Sequence, residues 1–340
     1  MIDLVVAGGG PAGLATAIHG VRAGLEVVVI EQRTGPIDKA CGEGLMPHAV
    51  RQLGMLGAHP AGRPFHGVSY FDGQRCVTAQ FGSGAGLGVR RRTLHEALLQ
   101  QAAASGVSLV HAKVDEFDQN GESVSVNGIR ARYLAAADGL HSPIRARLGL
   151  QMPAGRTRRW GIKRHIAVAP WSDVVEVHWS AEPDAGEAYV TPVADDCVGI
   201  AILTSRHGSF ERHLEAFPAL RERIAGLAHE PDRAAGPLRQ QVRSRVAGRV
   251  LLVGDAAGYV DALTGEGLGL AFAASRVLVD SVVADRPGEY ERRWRRTTRR
   301  YRWMTAAVLS ASSSPLRSHI VPAAHRLPRV FTGMVNLLAD

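Results

Sequence analysis

Residues 2–31 read IDLVVAGGGPAGLATAIHGVRAGLEVVVIE. The apolar run over 2–7 predicts a short buried strand, and LEVVVIE at 25–31 predicts a second. Between them Gly8, Gly10 and Gly13 stand in G-x-G-x-x-G spacing, with Pro11 and Ala12 opening a helix of small and apolar residues that Gly24 closes. This is a βαβ unit of about thirty residues. The first glycine permits a tight turn, the second lets a pyrophosphate approach the backbone, and the third allows close helix–strand packing. The helix N-terminus offers free N–H groups and a positive dipole end to phosphate. Glu31 ends the second strand, where a carboxylate can accept both hydroxyls of an adenosine ribose. A glycine turn alone can be purely structural; with both strands and the acid in place, dinucleotide binding is the expectation.

Outward from this unit, residues 32–48 read as loop and 49–57 as a short helix. Residues 66–80 alternate weakly, as strands do. A Gly-rich stretch at 81–88 leads into VRRRTLHEALLQQAAASG, a helix ending at Gly106. Residues 107–139 predict a strand, a meander with an Asn-Gly turn at 120–121, and a strand running into Asp138-Gly139. The segment 160–203 is strand-rich, and 208–229 reads as helical. RVLLVGDAAG at 249–258 is one more buried strand meeting a glycine turn, followed by a long small-residue helix over 267–284. Arg-rich helices broken near Pro315, Pro322 and Pro328 complete the chain.

Composition narrows the function classes. The chain has 340 residues, 46% hydrophobic and 21% charged, which suits a folded globular protein rather than a disordered one. No stretch has the length and apolarity of a membrane span, and the N-terminus lacks a basic region and a small-residue cleavage site. Three cysteines (Cys41, Cys76, Cys197) without a CxxC make neither a disulfide framework nor a zinc site, so no metal is expected and the reducing cytoplasm is the expected compartment. Net charge is +8, almost all from arginine. No helix-turn-helix, zinc-finger or RNP pattern accompanies it, and no nucleic acid is expected as a partner. The basic excess suits anionic cofactors or substrates. His95, His141, His165 and His178 form no motif and read as packed or solvated side chains, and no nucleophile elbow occurs.

Three separated stretches carry a resemblance: GGGPAG…E at 8–31, AADGLHSPIR at 136–145 and GDAAGYVDALTGEG at 254–267. On these the chain resembles the FAD-dependent group that contains aromatic hydroxylases, geranylgeranyl reductases and flavin-dependent halogenases. The resemblance implies an α/β fold: a Rossmann-like FAD-binding domain, an inserted antiparallel β-sheet substrate domain and C-terminal helices. It places the FAD-binding domain at 1–65, 85–158 and 245–285, the substrate domain at 66–84 and 159–244, and a C-terminal helical segment at 286–340. It implies FAD contacts from the glycine turn, from Glu31, Gln32 and Arg33, and from Lys39, Ala40 and Cys41. Arg91 matches the family's arginine that opens a helix facing FAD, and Val114 lies where an adenine-side strand contributes backbone contacts. Asp138 and Gly139 match an element that the hydroxylases share between FAD and nicotinamide. Gly254 and Asp255 would meet the ribityl chain, and Gly265, Gly267 and Leu268 the flavin N1–C2=O edge, where negative charge collects on reduction.

The finer resemblance divides. KACGEGL at 39–45 and TGEG at 264–267 are similar to loops of the geranylgeranyl reductases, as is AYVTP at 188–192, though without their tryptophan. The hydroxylases usually carry His and Pro where this chain has Gly258 and Ala262. The halogenases' W-x-W-x-I-P signature is missing, which sets halogenation aside. Cys41 is either a small buried hydrophobe or a thiol that protonates a carbon centre while the flavin gives hydride. Glu43 and Glu266 are either pocket acid/base groups or helix caps and partners of arginines. Tyr189 and Pro192 either line the pocket or hold ordinary strand positions. The expectation for the whole is a single-component monooxygenase, reduced by transiently bound NAD(P)H and hydroxylating a phenolic or polyketide-type molecule. The alternatives are a reductase of isoprenoid or enoyl double bonds, and a flavoprotein without turnover. A hydrophobic small-molecule substrate is implied throughout; oligomeric state stays open. YERRWRRTTRRYRWM at 290–304 either touches anionic lipid or docks its aromatic residues on the FAD domain, and LPRVFTGMVNLLA at 327–339 is placed as a cap on the substrate cavity.

Overall fold

Five parallel strands form the heart of the computed structural model, which describes residues 1–153 and 158–340. Residues 154–157, within the 85–158 piece expected in the FAD-binding domain, lie outside the described residues. The strands run in the order Ser108–His111, Val27–Glu31, Ile2–Ala7, Ile129–Ala136 and Val250–Leu252. Val27–Glu31 and Val250–Leu252 are buried along their whole length, as expected of β-branched and leucine runs covered on both faces. Register is set by Leu4 opposite Val27 on one side and Tyr133 on the other. A hairpin of Phe117–Gln119 and Val124–Val126 and the short strand Val246–Ala247 complete eight strands.

Helices Pro11–Arg22 and Gly267–Val283 pack together through small residues. Thr16 and Ser275 hydrogen-bond across that interface at 3.0 Å, and Ser275 also donates to the Ala12 carbonyl. Leu14, Ile18, Leu53, Leu94, Leu98 and Phe272 fill the space between these helices and helices Pro47–Met55 and Arg91–Ala104. Each such buried side chain contributes about 2 kcal/mol. Helix Pro287–Ser312 closes the far side: Tyr290 is buried and its hydroxyl donates to the Leu252 carbonyl at 2.8 Å.

A second, seven-stranded sheet takes Gly67–Phe71 and Cys76–Gln80 from early in the chain and its other strands from 160–204 and 233–235. All neighbours are antiparallel except Gly67–Phe71 against Val175–Trp179. Its alternation places the site. Along Cys197–Thr204, Val198, Ile200 and Ile202 pack against helices Phe210–Leu214 and Pro218–Ile224, while Ala201 and Leu203 turn the other way, toward the first sheet. Helices Arg317–Arg326 and Pro328–Ala339 cover the opposite end through Val321, Phe331 and Val335. Three very short strands, Gly44–Leu45, Arg63–Phe65 and Gly86–Gly88, join the two sheets.

The α/β architecture is the one expected. Several local expectations differ. The meander turns twice: after the Asn120 loop, Asn127 and Gly128 both take positive φ (48° and 79°), a tight hairpin turn of the type Asn-Gly favours. The helix expected over 208–229 is two short helices. Pro322 lies inside a helix rather than at a break. The carbonyl it leaves unpaired belongs to Ser318, an exposed residue open to solvent.

Candidate functional site

The first sheet's parallel strands all end on one side, and a cleft of about 640 Å³ opens there against the second sheet. Ligands of α/β sheets bind in the crevice beyond the carboxyl ends of the strands. That rule brings the separated stretches together here. Ala7 leads into the glycine turn, Ala136 into Asp138-Gly139, and Leu252 into Gly254-Asp255, while Glu31 is itself a strand end. Gly8, Gly10, Pro11, Ala12, Glu31, Gln32, Arg33, Lys39, Ala40, Cys41, Arg91, Val114, Asp138, Gly139, Gly254, Asp255, Gly265, Gly267 and Leu268 all line this cleft. Gly13 does not, for a packing reason: a Cβ there would stand 1.9 Å from the Gly8 carbonyl oxygen. Gly8 has φ 108° and lies against the Ala137 carbonyl. Gly10 differs from both, since no protein atom lies within 4 Å of where its Cβ would be. It caps helix Pro11–Arg22 without any side-chain hydrogen bond, leaving the first-turn N–H groups free for an anion.

Glu31 is buried. Its Oε2 accepts from Gly9 N at 2.8 Å, and its Oε1 accepts from Arg33 backbone N and side-chain Nε, both at 2.9 Å. Burial works against the charge, but these hydrogen bonds outweigh it and hold the carboxyl below its ordinary range. His95, read from sequence as an ordinary packed histidine, latches this corner. Ile37 N–H donates to its Nδ1 at 3.2 Å, so the proton sits on Nε2, which meets the Gly9 carbonyl at 2.7 Å. Burial lowers the ring's pKa, consistent with that neutral form.

Across the cleft stands the 39–44 loop. Glu43 has φ 59°, unusual for a side chain of its size, and is buried. Its Oε1 accepts from Lys163 Nζ and from Arg91 backbone N, each at 2.7 Å; its Oε2 meets His165 Nε2 at 2.6 Å. Gly199 lies beneath, where a Cβ would come within 3.1 Å of that oxygen. His165 Nδ1 in turn meets Glu230, which is half exposed, at 3.0 Å, and Lys163 also meets Asp38 at 3.2 Å. Desolvation opposes the Glu43 charge; the His165 hydrogen bond and the Lys163 ammonium outweigh it and lower its pKa. Glu43 therefore caps a helix and pairs, as one reading held, but its partners are Lys163 and His165 rather than arginine side chains. Neither was singled out as a site residue, because the pairing joins positions more than a hundred residues apart. Glu43 N–H points at Cys41 Sγ, 3.4 Å away. Loss of solvent raises the Cys41 thiol pKa and keeps it protonated.

Two buried polar atoms on the cleft wall lack a protein partner: Arg91 Nη1 and Asp138 Oδ1. Burial raises the Asp138 pKa, while its Oδ2 accepts from Ile144 N at 3.1 Å. A free guanidinium N–H, a free helix N-terminus and an open carboxyl oxygen on the walls of one cleft fit a group carrying both phosphates and hydroxyls. Arg145, at the end of AADGLHSPIR, fastens that stretch to the third motif. It is buried, and its guanidinium donates to the carbonyls of Leu140 (2.8 Å) and Ala256 (3.1 Å) and to Gln240 Oε1 (3.0 Å). Lys39 reaches Asp255 at 3.6 Å across the cleft.

Tyr189 and Pro192 do not line the cleft. Tyr189 pairs with Ala201 in register, but its hydroxyl donates to the Leu263 carbonyl at 2.7 Å, so it packs under the 261–264 loop. Leu140, Leu203 and Leu238 form the apolar end instead. Glu266 pairs with His48 at 2.9 Å outside the cleft wall. No residue of 287–340 borders the cleft, so the C-terminal helix does not cap it; its apolar face covers the end of the second sheet.

Comparison with known proteins agrees with this geometry. The family model described as FAD binding domain matches residues 1–284. Menaquinone reductase of Mycobacterium tuberculosis is 28% identical over 313 residues, covering 82% of this chain and 76% of its own. Digeranylgeranylglycerophospholipid reductase 1 of Methanopyrus kandleri is 28% identical over 303 residues, covering 81% and 78%. Among solved structures, a flavoprotein/dehydrogenase from Cytophaga hutchinsonii superposes with TM-score 0.84 at 18% identity, over 99% of this chain and 92% of that one. The halogenase PltM in complex with phloroglucinol and FAD superposes with TM-score 0.78 at 18% identity, over 92% and 77%. The chain belongs to the FAD-binding family and is an FAD-dependent oxidoreductase.

Proposed function

From that membership we propose that the protein is a reductase that saturates carbon–carbon double bonds of a lipophilic, isoprenoid-type substrate. The observation that carries this reading is the placement of the Cys41 thiol on the cleft wall, beside the buried Glu43–Lys163–His165 cluster. Saturating an alkene takes a hydride at one carbon and a proton at the other. Bound FAD, once reduced by a nicotinamide, would supply the hydride. The chain must supply the proton in a site that excludes water, and a neutral thiol does so at Sγ. Glu230, half exposed, and His165 link solvent to the Glu43 carboxylate, and the Glu43 backbone N–H, aimed at Sγ, would stabilise the thiolate left after proton transfer. Leu140, Leu203 and Leu238 offer an apolar surface suited to a hydrocarbon chain. The names of two sequence relatives, one acting on menaquinone and one on digeranylgeranylglycerophospholipid, favour the same class.

The cofactor would be held by the 8–13 turn through its pyrophosphate, by Glu31 at the ribose, by Arg91 and Asp138 along the middle, and by the 265–268 backbone at the ring. NAD(P)H, binding transiently, is the proposed reductant.

A second reading, NAD(P)H-dependent hydroxylation of a phenolic or polyketide-type ring, draws on the same apolar end, since oxygen chemistry on a flavin also needs a dry pocket. One experiment separates the two. The purified protein is reduced anaerobically, then offered a prenylated quinone or polyprenyl lipid, or a phenol with oxygen. Flavin reoxidation without oxygen, with a product two hydrogens heavier in its side chain after any quinol has been reoxidised in air, is the expected result. An oxygen-dependent product one oxygen heavier overturns it in favour of hydroxylation. Cys41→Ser should slow the alkene reduction by about a hundredfold or more while leaving chemical reduction of the flavin intact.

A further inference from the structure

We propose that the C-terminal helices form a docking surface for the face of an anionic lipid bilayer, held by arginines and by inserted apolar side chains. Between Glu291 and Asp340 the chain has no acidic residue and ten arginines. The whole protein carries +8, so the rest of the chain sums to −2 and the entire basic excess lies on this segment.

The same segment exposes apolar side chains on one face. In helix Pro328–Ala339, Phe331, Val335 and Ala339 are buried, while Val330, Met334 and Leu337, spaced four and three apart, are exposed. Leu327 precedes them, exposed as well. On helix Pro287–Ser312, Trp303 is 72% exposed. Arg296, Arg299 and Arg300 stand seven, four and three residues before it, on its face of the helix. The two helices are tied where the Arg300 guanidinium donates to the Leu337 carbonyl, so both stripes belong to one patch. Arg326 and Arg329 flank Leu327 and Val330. None of Arg296, Arg299, Arg326 and Arg329 has a carboxylate partner among the described residues.

This combination selects the occupant. Exposed, unpaired arginines beside an exposed tryptophan and exposed aliphatic side chains match the headgroup boundary of a bilayer. A second copy of the chain would have to meet the unpaired Arg296, Arg299, Arg326 and Arg329 with a remainder whose net charge is only −2. The proposal does not depend on which reaction the cleft performs.

The test is co-sedimentation of the flavin-loaded full chain with phosphatidylcholine vesicles, with and without phosphatidylglycerol, at low and high salt. Binding only to the phosphatidylglycerol vesicles, weakened by salt, is expected. Removing three charges (Arg296→Gln, Arg299→Gln, Arg329→Gln) should weaken binding on the order of a hundredfold. The apolar variant (Trp303→Ser, Met334→Ser, Leu337→Ser) should bind weakly at any salt. Both should keep the wild-type flavin spectrum, which certifies the fold. The proposal is overturned by absence of vesicle binding, by equal binding of all variants, or by a dimer in sedimentation velocity that the apolar variant abolishes.

Discussion

Glu43 and His165 meet at 2.6 Å although 122 positions separate them, and this contact fastens a loop of the first sheet's side onto a strand of the second. Lys163, two residues along that strand, takes the other oxygen. Removing the carboxylate would leave an ammonium and an imidazole facing each other in a buried space. Glu43→Ala should therefore cost about 3–5 kcal/mol of stability, read as a shift of the urea midpoint without change in slope. A smaller loss for Glu43→Ala than for Lys163→Met would show that the carboxylate is not the centre of the cluster. Acid should loosen the same contact. Glu43's pKa in the fold lies below the ordinary 4.5, so its contribution is fully present above that value and fades as pH falls through the lower one.

Gly10 and Gly13 should fail in different ways. Gly13→Ala drives a Cβ to within 1.9 Å of the Gly8 carbonyl and must distort the turn; a loss of about 2 kcal/mol or more is expected in the flavin-free protein. At Gly10, with φ −70°, an alanine fits the backbone and meets no protein atom. Gly10→Ala should leave the flavin-free stability within about 0.5 kcal/mol of wild type but weaken FAD retention at least roughly tenfold, because the new methyl stands where the pyrophosphate approaches. Yellow, cofactor-replete Gly10→Ala protein would remove Gly10 from the phosphate site.

His95 imposes a pH dependence of its own. Its Nδ1 must accept from Ile37 and its Nε2 must donate to Gly9, so only the neutral ring fits. Burial depresses its pKa below the ordinary 6.5. The unfolded chain then binds the proton first as pH falls below 6.5, and stability declines in that window until the folded value is passed. His95→Gln should flatten this part of the stability curve, measured by chemical denaturation across the acid range. An unchanged slope would assign the acid sensitivity to other histidines, such as the partly buried His19, whose pKa desolvation lowers to about 4.

Arg145 joins two of the three motifs. A lysine cannot satisfy the Leu140 and Ala256 carbonyls and Gln240 at once, since it lacks the planar fork. Arg145→Lys should cost about 2–3 kcal/mol and accelerate FAD dissociation, followed by recovery of flavin fluorescence. Wild-type dissociation would mean that the 136–145 and 254–258 segments hold their places independently.

The motifs were legible because each is local: a strand end, a glycine that must turn, and a helix start. The topology of a parallel sheet then assembles them on one side without further instruction. What stayed hidden depends on the second sheet. Nothing near Glu43 in sequence announces Lys163 or His165, since their meeting requires the strand at 160–167 to fold back over the 39–44 loop. Tyr189 shows the intermediate case. Its strand phase was readable, yet the Leu263 carbonyl that takes its hydroxyl belongs to a loop whose course alternation cannot foretell. Asn127-Gly128 carried a readable turn signal, overshadowed by the Asn-Gly seven residues earlier. Arg145 was in plain view inside a quoted motif, but an arginine's partners are carbonyls that leave no mark in composition.

The cleft is walled on one side by the first sheet and on the other by the second. A molecule that fills it binds only the assembled chain, and it adds RT ln(1 + [L]/Kd) to the free energy of unfolding, about 4 kcal/mol at a thousandfold excess over Kd. The abundance of this protein in a cell should then follow the supply of flavin. Vitamin shortage would act first on its lifetime, by exposing the junction between the sheets to proteases, before it limits the rate of any reaction.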